Sequence, residues 1–99
     1  MNFSFHPLAA EELNKAIEYY EDMSPGLGLE FSEEVYSTIQ RILQFPKAWS
    51  KISKNCRRCI TQRFPYGIIY YNTGKKIIII AIMQLNEKPK NWDNRINTQ

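Results

Sequence analysis

Apolar residues recur at helical spacing in the first half of the chain and cluster in short runs in the second. Ala9, Leu13, Ala16, Ile17 and Tyr20 fall on one stripe, with Glu11, Glu12 and Lys15 off it, which predicts a helix over residues 7–23. Pro7 suits its first turn, where a missing N–H costs nothing, and Glu11 and Glu12 are expected to complement the helix dipole. His6 opens this helix as a cap or surface residue. Ser24-Pro25-Gly26 is a break. Leu27, Phe31, Val35, Ile39 and Ile42 then form a second stripe, a helix over 27–45 that Phe45-Pro46 ends, because a residue before proline avoids the helical region. Asn2 to His6 alternates weakly around Phe3 and Phe5 and reads as a short first strand.

The second half carries strand patterns. Cys56 to Arg63, Tyr66 to Asn72 and Lys76 to Met83 are three runs, the last two joined by the polar turn Asn72-Thr73-Gly74. Residues 46–55 form a basic, polar loop in which Trp49, Ile52 or both pin the backbone to the body. Ile77 to Ile82 is apolar on both faces, the mark of a central strand covered on both sides. One face has the helix pair to pack on. The other needs the C-terminal tail, another subunit or a partner chain. The predicted class is α+β, in the order β-α-α-β-β-β: a helical hairpin packed on one face of a small, mostly antiparallel sheet.

Ninety-nine residues make one domain, 1–99, long enough for a core without metal or disulfide staples. No apolar run approaches the roughly 20 residues that span a bilayer. The first residues lack the basic and apolar regions of a signal peptide, so the expected compartment is the cytoplasm, with no membrane partner. Cys56 and Cys59 are spaced as C-x-x-C. A redox pair opens a helix and a structural zinc takes four ligands. Here no helix signal follows the pair and His6 is the sole histidine, so the expectation is two small strand residues on opposite faces, with no metal and no cofactor. Charge changes the picture more. Residues 1–46 hold two basic and eight acidic residues, and residues 47–99 hold eleven basic and two acidic. The halves differ in sign, −6 against +9, and the positive side should attract a polyanion or an acidic partner.

The chain carries, in order, Phe5-His6-Pro7-Leu8-Ala9, Glu12-Leu13, Ala16-Ile17-Glu18-Tyr19-Tyr20, Ser24-Pro25-Gly26-Leu27-Gly28 with Phe31, Phe45-Pro46, Arg57-Arg58 and Arg63-Phe64-Pro65-Tyr66-Gly67-Ile68-Ile69-Tyr70. Together these segments resemble the RelE/ParE toxin superfamily of type II toxin–antitoxin modules, closest to the ParE-like, plasmid stabilisation branch. The resemblance covers nearly the whole length. One departure stands out. Relatives commonly close the fourth strand with His-x-x-Arg-x-Pro-x-x-Trp, and here Gln84 and Glu87 replace the first two while Pro89 and Trp92 are kept, with Arg95 following.

The resemblance implies a toxin neutralised by a cognate antitoxin, with which it forms a hetero-oligomer. It also implies one of two activities, since fold alone does not choose. A ParE-type toxin binds DNA gyrase and is not itself an enzyme. A RelE-type toxin enters the ribosome and cuts mRNA, which takes a general base, a general acid and cations around the phosphate. For that chemistry the candidates are Lys54, Arg57, Arg63 and Glu87. For target binding they are Arg57, Arg58, Arg63, Tyr70, Gln84, Trp92 and Arg95. The acid/base set is incomplete, which favours gyrase inhibition. A domain that has lost toxicity and only binds antitoxin is a further reading. A generic nucleic-acid-binding domain is weaker, because neither an aromatic RNP motif nor a Gly-x-x-Gly loop is present. Arg57 and Arg63 are expected on one strand face, with Arg58 on the other. Tyr66 and Tyr70 are expected in the core, and Trp92 is expected to pin the tail across the sheet.

Overall fold

Strand β1 (Asn2–Phe5) runs into helix α1 (Pro7–Met23), and helix α2 (Leu27–Gln44) folds back beside it. Strands β2 (Ser50–Lys51), β3 (Cys56–Ile60), β4 (Tyr66–Asn72) and β5 (Lys76–Gln84) follow, and then a 3₁₀ helix, Trp92–Thr98. The structure is a computed structural model that describes residues 1–88 and 90–98, so Pro89 of the closing motif lies outside the described residues. The sheet order is β1-β5-β4-β3-β2. Strand β1 pairs parallel to β5 and every other pair is antiparallel. The α+β class and the element order agree with the sequence pattern.

The residues of the hairpin explain its sharp turn. Gly26 takes a left-handed conformation, φ 89°, and has no capping side chain of its own. The Glu21 carboxylate caps α2 instead, accepting from the amides of Gly26 and Gly28 at 3.0–3.1 Å, where helix-end N–H groups favour an anion. Gly28 lets the helices close up: a Cβ there would meet the Ile17 carbonyl oxygen at 2.7 Å. At the start of α1, His6 Nδ1 accepts from the Leu8 amide at 3.0 Å. His6 is thus a cap, but a buried one rather than a surface residue.

Two cores flank the sheet. Between sheet and helices lie Ala9, Leu13 and Ala16 of α1, Phe31, Val35, Ile39 and Ile42 of α2, and Cys59, Tyr66, Ile68, Tyr70, Ile77, Ile79 and Ile82 of the strands. At its centre the Phe31 ring stands 4.9 Å from Tyr66 and 5.1 Å from both Tyr20 and Phe64. The outer face has a smaller core of Cys56, Ile69, Ile78, Ile80, Ala81, Met83 and Trp92. The tail therefore supplies the second cover that β5 requires. Cys56 and Cys59 sit in opposite cores as free thiols. Trp49 packs on the inner core and Ile52 on the outer, so both pin their loop.

Strand β5 changes phase at a bulge. Ile69 pairs with Ala81 but Tyr70 pairs with Ile79, which leaves Ile80 as an extra residue. Ile77 and Ile79 face the helices before it and Ile82 does so after it, while Ile80 and Ala81 both join the outer core.

Three expectations are corrected. The 46–55 loop contains the two-residue edge strand β2, which pairs Ser50 with Arg58 and Lys51 with Arg57. Strand β3 ends at Ile60, not at Arg63, because the Thr61 amide bonds back to the Tyr66 carbonyl and the Thr61 hydroxyl to that of Phe64. The chain turns there, so Arg57 and Arg63 share no strand face. Glu11 and Glu12 lie past the first turn of α1, which holds no acidic residue; Glu12 binds elsewhere, as described below.

The His6 cap carries a pH dependence. Burial holds its pKa below the ordinary 6.5, and the Arg95 guanidinium adds to this while the Glu12 carboxylate opposes it. The unfolded chain takes up this proton at a higher pH than the folded one. Stability should therefore fall as pH drops below about 6.5, until the folded group titrates as well. Asparagine caps without titrating, so His6→Asn should remove this slope from thermal melts run between about pH 5 and 8.

Candidate functional site

The candidate residues are distributed over three regions of the sheet. The first is a groove of about 340 Å³ on the outer face, lined by Ile52, Arg58, Met83, Leu85, Glu87, Lys90 and Trp92. Arg58 sits on the outer-core side of β3, next to Cys56 in the alternation. Its aliphatic arm crosses Gly67, where a Cβ would meet Arg58 Cδ at 2.7 Å. Glycine at this position in the Arg63 to Tyr70 motif thus makes room for an arginine. Glu87 Oε1 accepts from the Gln84 amide at 3.3 Å, closing the turn after β5, and its other oxygen faces Lys90 Nζ at 3.7 Å. Gln84 Nε2 donates to the Tyr66 hydroxyl at 3.3 Å.

The second region is a basic cleft of about 230 Å³ where β2, β3 and β4 meet. Lys47, Lys51, Lys54 and Arg57 line it, with Asn55, Tyr70, Tyr71 and Asn72. Arg57 Nη1 donates to the Trp49 carbonyl at 2.7 Å and holds the preceding loop in place. Tyr70 is buried. Its hydroxyl donates to the Pro46 carbonyl, and burial pushes its pKa up to about 12. Neither histidine nor carboxylate nor thiol lines this cleft. Burial also pushes the Cys56 thiol up to about 12, with the Asp93 carboxylate acting in the same direction, and raises that of Cys59.

The third region is the edge of β5 beyond the short β1. Arg95 and Glu12, 83 residues apart, form a two-pronged pair at 3.0 and 2.8 Å. Arg95 Nη1 also donates to the Ile80 carbonyl at 2.9 Å, and Glu12 Oε1 accepts from the Ile82 amide at 3.0 Å. These are the ladder groups that β1, ending opposite Ile79, leaves unmatched. The guanidinium also lies 4.7 Å from the Trp92 ring. Asp93 ties the same tail to the 53–56 turn, accepting from the Ser53 hydroxyl at 2.8 Å and the Asn55 amide at 3.3 Å. The Ser53 bond leads in holding its carboxyl below the usual range.

Arg58, Glu87 and Trp92 are thus brought together in the groove, and Lys54 and Arg57 in the cleft, with Tyr70 beneath them. Arg63 belongs to none of the three regions: exposed, it pairs with Glu30 of α2 at 2.8 Å. The sequence reading missed Lys47 and Lys51 of the cleft and Lys90 of the groove. The spacing Lys47-x3-Lys51-x2-Lys54 was a visible signal for the first two.

A family model for the ParE toxin of type II toxin–antitoxin systems, parDE, matches residues 3–88. The chain belongs to the ParE toxin family. A solved structure titled as a chromosomal ParDE toxin–antitoxin system from P. aeruginosa shares the fold with a TM-score of 0.76 at 18% identity, over 87% of this chain and 97% of that one. No curated protein matches the chain by sequence. The elements common to the ParE match and this fold include both helices and all five strands, while the 3₁₀ helix that carries Trp92 and Arg95 lies past the matched residues.

Within this ParE-family chain, Arg57 and Arg63 separate by experiment. Removing an exposed pair such as Arg63–Glu30 changes stability by about 0–1 kcal/mol. Arg57→Ala should cost about 1–2 kcal/mol, because its charged hydrogen bond anchors a backbone carbonyl. Urea midpoints of the two variants, read beside their toxicity, check this. A loss of toxicity in Arg63→Ala at an unchanged midpoint marks a target contact.

Proposed function

We propose that the chain is a gyrase-directed toxin, acting in the cytoplasm and held silent by a cognate antitoxin. Membership of the ParE family carries this reading. The chemistry of the basic cleft supports it. Cutting RNA through its 2′-hydroxyl takes a proton acceptor and a proton donor that work near neutral pH. The cleft offers cations, amides and phenols, and Tyr70 titrates far above neutrality. Inhibition by binding needs none of these proton-transfer groups.

The antitoxin is assigned to the outer face. Met83, Leu85, Ile52 and Trp92 give the groove an apolar floor, and Arg58 and Lys90 flank it, a setting for an amphipathic acidic segment. Together, toxin and antitoxin form the hetero-oligomer. Among the described residues, no helix is long and apolar enough to cross a membrane.

The test is induction of the chain in growing bacteria with DNA and protein synthesis pulse-labelled in parallel. DNA synthesis is expected to fall first, and co-expression of the antitoxin to restore it. An earlier fall in protein synthesis would replace gyrase with the ribosome and return Lys54, Arg57, Arg63 and Glu87 to catalytic candidacy. Growth unaffected in a susceptible host would leave only antitoxin binding.

A further inference from the structure

We propose that the cleft formed by Lys47, Lys51, Lys54 and Arg57 is a binding site for the sugar-phosphate backbone of duplex DNA. The inference rests on the gyrase-directed reading and is tested separately from it, by direct binding to purified nucleic acid. Four cations converge on one depression of about 230 Å³. Lys47, Lys51 and Lys54 are exposed, and none of the three appears in a salt bridge among the described residues. The nearby carboxylate, Asp93, accepts from the Ser53 hydroxyl and the Asn55 amide, and among the described residues it forms no salt bridge with these lysines. Like charges held this close repel one another, and an anion relieves the repulsion.

The fold fixes the arrangement. Register places Lys51 beside Arg57 across the β2–β3 pair. Arg57 is locked by its bond to the Trp49 carbonyl, and Tyr70 beneath it by its bond to the Pro46 carbonyl. These bonds hold both ends of the 46–49 segment that carries Lys47. The turn bearing Lys75 and Lys76 lies at the same end of the sheet, since Cys56 pairs with Tyr71 and Asn72 with Ile77. The acidic residues of the first half belong instead to the helical hairpin.

The lining selects the ligand. An acidic peptide would need an apolar anchor, and the cleft has no aliphatic side chain; the apolar groove is elsewhere on the sheet. Single strands are held by bases stacked on exposed rings. Tyr70 is fully buried here and Tyr71 partly so. Lysines, an arginine and asparagine amides around a shallow depression are the groups that contact phosphates of a duplex without reading its sequence.

The full-length chain is titrated onto a fluorescent duplex of about two helical turns, at a series of salt concentrations. Four phosphate contacts predict a slope of log K against log salt of about −3.6. That is roughly a hundredfold loss of affinity between about 50 and 200 mM salt. Lys47→Ala, Lys51→Ala and Lys54→Ala should each flatten the slope by about 0.9. Lys15→Ala, which removes the same charge from α1, should leave it unchanged. Circular dichroism melts confirm that the variants fold, and all four lysines are exposed. Equal losses in all four variants would reduce the effect to net charge and overturn the proposal. Tighter binding to single-stranded DNA or RNA than to the duplex would overturn it too, as would displacement of the duplex by polyglutamate at equal charge.

Discussion

Trp92→Ala is expected to lower the unfolding free energy by about 3 kcal/mol, the lower end for removing a large buried aromatic ring. In a domain of about 100 residues that is a fall in Tm of about 10–20 °C. The ring is 4% exposed and closes the outer core over Cys56, Ile78, Ile80 and Met83. The Arg95 guanidinium at 4.7 Å and the Lys90 ammonium at 5.3 Å lie against it. Without it, the 3₁₀ helix loses its main apolar contact and the face of β5 opens to water. Trp92→Phe should recover more than half of the loss. Thermal melts decide the issue: an unchanged Tm with toxicity abolished would make Trp92 a target contact and not the cover of a core.

Arg95→Ala is expected to cost about 2–3 kcal/mol, and Glu12→Ala a similar amount. The pair is mostly shielded, with side-chain exposures of 16% and 28%. Each partner does two jobs. It neutralises the other, and it occupies a backbone group of β5 that has no strand beside it. Removing either breaks the two-pronged ion pair and leaves one peptide group of β5 unmatched. Arg95→Lys should rescue little, since an ammonium cannot span both carboxylate oxygens and the Ile80 carbonyl in the same plane. In a double-mutant cycle read by urea denaturation the two substitutions should be strongly non-additive. Additive losses would mean that the pair acts as two separate surface charges.

How much of this was legible in the chain follows from the range of each interaction. The helices announced themselves because Phe31, Val35, Ile39 and Ile42 repeat at the helical period. Strands β4 and β5 did so because their apolar runs are bounded by Pro65, Gly74 and the turn after Gln84. Strand β2 was invisible: two exposed polar residues have no periodicity, and only pairing with Arg57 and Arg58 defines it. The end of β3 was misplaced because a threonine turn at Thr61 looks like one more strand residue. The bulge at Ile80 was hidden by its neighbours, which are all apolar from Ile77 to Ile82. On the functional side, the family segments led to the toxin family and to Arg57, Arg58 and Trp92. Lys47 and Lys51 were seen as part of a basic loop, but their convergence on Arg57 depends on the hairpin. The Glu12–Arg95 pair joins residues 83 apart, beyond any local pattern.

The run from Ile77 to Ile82, split between two cores by its bulge, bears on the chain before it folds. Six consecutive apolar residues, five of them β-branched and none charged, make a segment prone to stack with copies of itself. In the native state both faces are covered, and β1 and β4 occupy both edges for much of its length. Those covers come from opposite ends of the chain, since the inner one is built by residues before 45 and the outer one by Trp92. During synthesis the outer cover emerges last, after the sticky segment is already out. Lys75 and Lys76 immediately before it act as charged gatekeepers over that interval.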